Sequence, residues 1–243
     1  RVAVVAETGK ALDYSALLSR VDALAGGLAA AGLVSGDRLV VLAQNSTAFF
    51  ELYFAAARQG VALYPLNWRW SAEEVAASLT RAQARGVIVD AQYHEVLPSE
   101  LPGDVVLRAQ FDGEPPAGWT AVSGLYADGV PPRPDVDADQ AFAIISTAAV
   151  DVIPRGAVLS HTNVLYANLQ SMTAMGLDEN DANLLFLPLF HVAALSSALA
   201  VVHAGGKNVI MTGFDGAAAV GLIDEHAITL IGDFPPILAT ILD

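Results

Sequence analysis

Short blocks of β-branched and leucine residues alternate along this chain with longer stretches in which apolar positions return every three or four residues. The block Val2–Val5 and the turn Thr8-Gly9-Lys10 predict a hairpin leading into Leu12–Tyr14. Leu17, Leu18, Val21, Leu24, Ala25 and Leu28 then fall at helical spacing, with Gly32 placed to close that helix. A turn at Gly36-Asp37 opens a strand over Arg38–Ala43. Ser46 is placed to cap a helix that runs to Arg58, Gly60 ends it, and Val61–Tyr64 is the next strand. Ser71 followed three residues later by Glu74 is a capping-box signature for a helix over Ala72–Ala84, after which Gly86 precedes a strand at Val87–Asp90.

The rhythm breaks between residues 98 and 136, where Pro98, Pro102, Pro115, Pro116, Pro131, Pro132 and Pro134 stand among glycines. That composition reads as connection, with a strand at Val105–Leu107 and a short ordered piece at Thr120–Tyr126. The alternation resumes after Asp139. Strands are expected at Ala141–Ile145, Ala157–Ser160, Asn183–Leu187, Lys207–Met211 and Ile228–Ile231. Helices are expected over Asn163–Met175, Val192–His203, Gly216–His226 and from Pro236. Strands alternating with helices predict an α/β fold of layered αβ subdomains with mainly parallel sheets. The proline-rich stretch suggests subdomains at residues 1–136 and 137–243.

Composition narrows the function classes. Hydrophobic residues make up 54% of 243, enough for a buried core, and no apolar run is long enough to cross a membrane. Twelve Lys and Arg face 26 Asp and Glu, a net charge of −14, which argues against nucleic-acid binding. An anionic ligand would have to rely on backbone donors and a few placed cations. There is no cysteine, so disulfide and thiolate chemistry are excluded. No signal peptide is visible, and the cytoplasm is the default compartment.

Five segments, in order, carry a resemblance. They are "ALDYSALLSRVDALAGGLAAAGLVSGDRLVVLAQNS", "ELYFAAARQGVALYPLNWRWSAEEV", "PRGAVLSHTNVL", "LPLFHVAAL" and "HAITLIGDFPPILATIL". Together they resemble the first half of the AMP-forming adenylating superfamily, which includes acyl-CoA synthetases. The resemblance implies an activity in which a carboxylic acid reacts with Mg-ATP to give an acyl-adenylate and pyrophosphate, and the acyl group then passes to coenzyme A. ATP, Mg²⁺ and coenzyme A are the implied cofactors, and a small carboxylic acid is the implied substrate.

The superfamily's phosphate loop reads Thr-Ser-Gly-Thr-Thr-Gly-x-Pro-Lys-Gly. Aligned on Pro154, Thr147 matches the first threonine, Gly156 the last glycine, and Arg155 stands for the lysine with its charge kept. Ser146 immediately precedes the loop. The resemblance assigns Ser146, Thr147, Arg155 and Gly156 to the ATP phosphates. The interior departs from the pattern: Ala148, Ala149, Val150, Asp151 and Val152 replace the serine, glycines and threonines. A β-branched valine resists the positive φ that glycine adopts, and Asp151 adds negative charge where a triphosphate would sit. The alternative is that residues 147–153 merely connect two strands.

The same resemblance places Phe190 and His191 at the acyl pocket, and Asp233, Phe234 and Pro235 along the acyl and pantetheine channel. In the bland reading, His191 is a core histidine and 233–236 a loop that starts a helix at Pro236. His161 reads as a capping or packing residue. His94, His203 and His226 lack metal-ligand spacing. Gly205-Gly206-Lys207 reads as a helix stop and turn. The superfamily's later motifs are absent from these residues, so the chain reads as an N-terminal portion that does not complete adenylation alone. No catalytic residue is assigned within it. Two other readings remain: a degenerate, non-catalytic acyl- or CoA-binding member, and a module whose exposed apolar face is covered by homo-oligomerisation.

Overall fold

A computed structural model describes residues 1–127, 129, 134–147, 155–232 and 240–241. In chain order its elements are β1 (Val2–Val5), β2 (Ala11–Asp13), α1 (Tyr14–Ala30), β3 (Arg38–Leu42), α2 (Thr47–Arg58), β4 (Ala62–Pro65), α3 (Ala72–Ala82), β5 (Gly86–Val89), β6 (Leu107–Gln110) and β7 (Thr120–Ala121). They continue with β8 (Ala141–Ser146), β9 (Gly156–Ser160), α4 (His161–Met175), β10 (Ala182–Leu185), α5 (Val192–Ala204), β11 (Lys207–Ile210), α6 (Gly216–His226) and β12 (Leu230–Ile231). Short 3₁₀ turns lie at Ala91–Val96 and Val122–Leu125. No helix among the described residues is long and apolar enough to cross a membrane.

The chain forms two compact units, each discontinuous in sequence. One holds Arg1–Leu17, Asn45–Thr47 and Val164–Asp243. The other holds Leu18–Gln44 and Ala48–Asn163. The larger unit carries a seven-stranded sheet in the order β7-β6-β5-β3-β4-β8-β9. Every pairing in it is parallel except that of β8 with β9. Its central strands are buried on both faces, as parallel strands between helices must be. Val40, Leu42, Val87 and Val89 form one core with Val75 and Leu79 of α3. Leu39, Val41 and Ile88 alternate onto the opposite face and are also buried.

Helix α3 begins as its sequence signals. Ser71 accepts from the Glu74 amide at 3.3 Å, and the Glu74 carboxylate accepts from the Ser71 amide at 2.8 Å. Helix α2 buries Phe49, Phe50, Leu52 and Tyr53 together with a glutamate, Glu51. That carboxylate is bound in bidentate fashion by Arg20, at 2.6 and 3.0 Å, and also accepts from the Tyr126 hydroxyl. The Arg20 guanidinium lies 4.5 Å from the centre of the Tyr126 ring. Burial, with the Glu51 charge beside it, pushes the Tyr126 hydroxyl well above the usual phenol range.

The smaller unit is built on a five-stranded sheet ordered β12-β10-β11-β1-β2. The N-terminal strand β1 lies parallel to β11, with Val4 opposite Asn208, while β2 folds back against β1 as the antiparallel edge. Val5, Leu184, Phe186, Val209 and Met211 pack with Ala219, Leu222 and Ile223 of α6 on one face. Asn183 and Asn208 alternate onto the other face. They bond to each other at 2.8 Å, and Asn208 also donates to the Ala198 carbonyl of α5 at 3.1 Å. Gly205 ends α5 at φ 84°, the left-handed helix stop expected of Gly205-Gly206-Lys207.

Candidate active site

The strands β8 and β9 run antiparallel with Ser146 opposite Gly156, which brings Thr147 and Arg155 side by side at the strand ends. The base is pinned by one acceptor: the Arg155 carbonyl receives the Thr147 amide at 2.8 Å and the Thr147 hydroxyl at 3.2 Å. Thr147, Arg155 and Gly156 are solvent-exposed. Ser146 lies below them with its hydroxyl 3.5 Å from that of Tyr64, which is buried. Residues 148–154, where the sequence departs from the phosphate-loop pattern, lie outside the described residues. The four nominated phosphate residues thus meet at one edge of the larger unit's sheet.

Gly156 is required there for space. A Cβ on it would collide with Cγ2 of Ile144 and approach the Tyr64 ring. No positive φ is involved. Glycine at this position lets the two strands close beneath the loop, whatever the loop binds.

The rest of the segment "LSHTN" has a local structural cause. The Ser160 hydroxyl accepts from the Asn163 amide at 3.1 Å, and the Asn163 side-chain oxygen accepts from the Ser160 amide at 3.0 Å. This is a reciprocal cap of α4 in which asparagine takes the place usual for glutamate. It starts the helix at His161, two residues earlier than the apolar spacing indicates. His161 stands edge-on to the Phe142 ring at 5.5 Å, with Nε2 buried and without a hydrogen-bond partner among the described residues. Burial lowers its pKa, which favours the neutral ring. The geometry is that of a packing residue.

Phe190 and His191 belong to the other unit. Phe190 is buried, and His191 is exposed at the N-cap position of α5 with its ring 4.3 Å from that of Phe190. Their placement depends on Asn45, which the sequence offers only as a polar residue ahead of a helix. Asn45 is 3% exposed. Its amide nitrogen donates to the Leu187 carbonyl at 2.9 Å and to the Met211 carbonyl at 3.3 Å, while its oxygen accepts from the Leu189 amide at 2.8 Å. One side chain therefore fixes the 187–189 turn against the end of β11. Asp233, Phe234 and Pro235 lie outside the described residues. Among the described residues no group of three or more acidic or histidine side chains could hold a metal ion.

Comparison with known proteins agrees with the five-segment pattern. Residues 1–243 match the family described as AMP-binding enzyme. The fatty acid–[acyl-carrier-protein] ligase ScoC of Streptomyces coeruleorubidus is 32% identical over 96% of this chain and 45% of its own length. The feruloyl-CoA synthase of an Amycolatopsis species is 31% identical over 93% of this chain and 44% of its own. A solved chain from Rhodopseudomonas palustris superposes with a TM-score of 0.94 at 36% identity, covering all of this chain and 61% of that one. The chain spans under half the length of these curated relatives. With a mainly parallel α/β fold and a family match over its whole length, it belongs to the AMP-binding enzyme family.

Proposed function

We propose that this chain is part of an AMP-forming acid–thiol ligase, an acyl-CoA synthetase. The observation that carries the reading is the loop base at which Ser146, Thr147, Arg155 and Gly156 converge, in a chain that matches the family throughout. In the reaction a substrate carboxylate oxygen attacks the α-phosphorus of ATP, the bond to the bridging oxygen breaks, and pyrophosphate leaves. The thiolate of coenzyme A then attacks the acyl carbonyl and AMP departs. Binding and orientation, together with neutralisation of phosphate charge, are what the protein must supply.

Arg155 is the residue for that charge. Its forked guanidinium can bridge two phosphate oxygens, and its backbone carbonyl anchors the loop base. Thr147 spends both its amide and its hydroxyl proton on that carbonyl, so its part is to hold the loop ends together. Mg²⁺ arrives with ATP and is held largely by its phosphates. Phe190 and His191, with Asp233, Phe234 and Pro235, line the acyl and pantetheine path. The reaction is placed in the cytoplasm, and association of copies covers apolar surface left exposed on α4 at Leu165, Tyr166 and Leu169. The subdomains of the proposed ligase portion are the two compact units, Arg1–Leu17 with Asn45–Thr47 and Val164–Asp243, and Leu18–Gln44 with Ala48–Asn163, which cut across a division at residue 136.

Carboxylate-dependent exchange of labelled pyrophosphate into ATP tests the reading. The full-length protein should catalyse it and the isolated 243 residues should not. Arg155→Ala should raise the KM for ATP about tenfold or more, the loss of one charge-assisted contact, and Arg155→Lys should restore most of it. The absence of inner glycines favours one other reading, a non-catalytic acyl- or CoA-binding protein. Calorimetry separates the two: acyl-CoA binding without Mg-ATP binding supports the second.

A further inference from the structure

Far from the phosphate-loop position, the larger unit contains a cavity of about 500 Å³ against strand β6. In the sheet order, β6 and β8 are separated by β5, β3 and β4, so four strand spacings, roughly 19 Å, lie between the two places. His94 and Trp119 form an aromatic wall of the cavity, with ring centres 4.5 Å apart and planes at 75°. The wall is held rigidly. His94 Nε2 lies 2.7 Å from the side-chain oxygen of Gln110, and buried Gln110 uses its own amide nitrogen on the Asp112 carbonyl. With that nitrogen committed, the Gln110 oxygen faces His94, so Nε2 carries the proton and donates.

The charges in the cavity are left over. Arg108 on β6 and Glu100 both line it, yet they do not pair with each other. Neither makes an ion pair or side-chain hydrogen bond among the described residues. The chain carries 26 acidic residues against twelve basic ones. Arg1, Arg20, Arg58 and Arg85 each engage a carboxylate. A guanidinium that remains unpaired in such an excess of carboxylates, a carboxylate lining the same hollow and an aromatic wall are complementary to a ligand with three parts. These are a carboxylate for Arg108, an ammonium for Glu100 and a flat apolar body for Trp119.

We propose that this cavity is a binding site for an aromatic α-amino acid, separate from the site at the phosphate-loop position. Its volume accommodates one such molecule with water around the polar end. The binding residues are Arg108, Glu100 and Trp119, with His94 as the positioning residue that backs the indole.

Isothermal calorimetry of the protein with L-phenylalanine, phenethylamine and 3-phenylpropanoate tests the proposal, since the second lacks the carboxylate and the third the ammonium. L-phenylalanine should bind saturably and each analogue about tenfold more weakly. Arg108→Gln should erase the preference for phenylalanine over phenethylamine, and Glu100→Gln the preference over 3-phenylpropanoate. Both side chains are exposed, so neither change should alter the circular dichroism or the melting temperature. The proposal is overturned by a lack of saturable binding at millimolar phenylalanine. Equal binding of all three compounds, or binding that both variants leave unchanged, overturns it as well.

Discussion

Asn45 shows how much one side chain can hold. Its three hydrogen bonds tie the turn before Phe190 and His191 to the end of β11. Asn45→Ala would strand a buried amide and two carbonyls, a loss of about 2–3 kcal/mol. Thermal denaturation should show a fall of several degrees, and a melting temperature within a degree of the parent would refute the assignment. Asp90 makes a prediction of the opposite sign. Burial, with Asp112 nearby, pushes its carboxyl up to about 6 from 3.8, against the lowering effect of the Gln44 amide bonded to it at 2.7 Å. A folded-state pKa above the unfolded value means that the folded protein holds the proton longer. Stability from this group is therefore present below about pH 4 and lost as pH rises to about 6. Asp90→Asn should be more stable than the parent by about 1–2 kcal/mol at pH 8, after allowance for partial exposure, and indistinguishable from it at pH 4. Urea denaturation at the two pH values measures the difference.

At the scale of elements, local signals were legible where the causes are local. The Ser71–Glu74 box, the Gly205 stop and the span of α6 are written in adjacent residues. Strand β6 was displaced for a physical reason: the apolar pair Val105–Val106 draws the eye, while the strand itself contains Arg108 and the buried Gln110. Gln110 is tolerated inside because His94 and Asp112 satisfy it. The Ser160–Asn163 cap was hidden because asparagine is not the usual partner in a capping box. Ser160→Ala should cost about 1 kcal/mol and fray the first turn of α4, seen as faster amide exchange at His161–Asn163. Unchanged exchange there would count against the cap. Helix α1 offers a sharper test. A Cβ at Gly27 would overlap the Leu125 carbonyl, so Gly27→Ala should destabilise by about 3 kcal/mol, the upper range of overpacking.

At the scale of the molecule, the return of the N-terminus could not be read from periodicity. Val4 and Val5 pair with Asn208 and Val209, and nothing near Val4 encodes a partner two hundred residues away. The roles proposed for His191 and Thr147 rest on the family resemblance for the same reason: both are ordinary residues until five ordered segments give them a frame. The contacts of Asn45 in one unit and of Tyr64 in the other left no sequence signal beyond being polar or aromatic near a strand end.

The base formed by Thr147 and Arg155 is held through a backbone carbonyl. Both of these bonds end on the Arg155 carbonyl, and Gly156 governs strand closure below. Replacing Ala148, Ala149, Val150, Asp151 and Val152 with Ser, Gly, Thr, Thr and Gly should therefore leave the melting temperature nearly unchanged while tightening Mg-ATP binding. A protein that unfolds on this transplant would show that the interior helps to hold the base. One that stays folded would have its nucleotide affinity set by five interchangeable positions on a fixed frame.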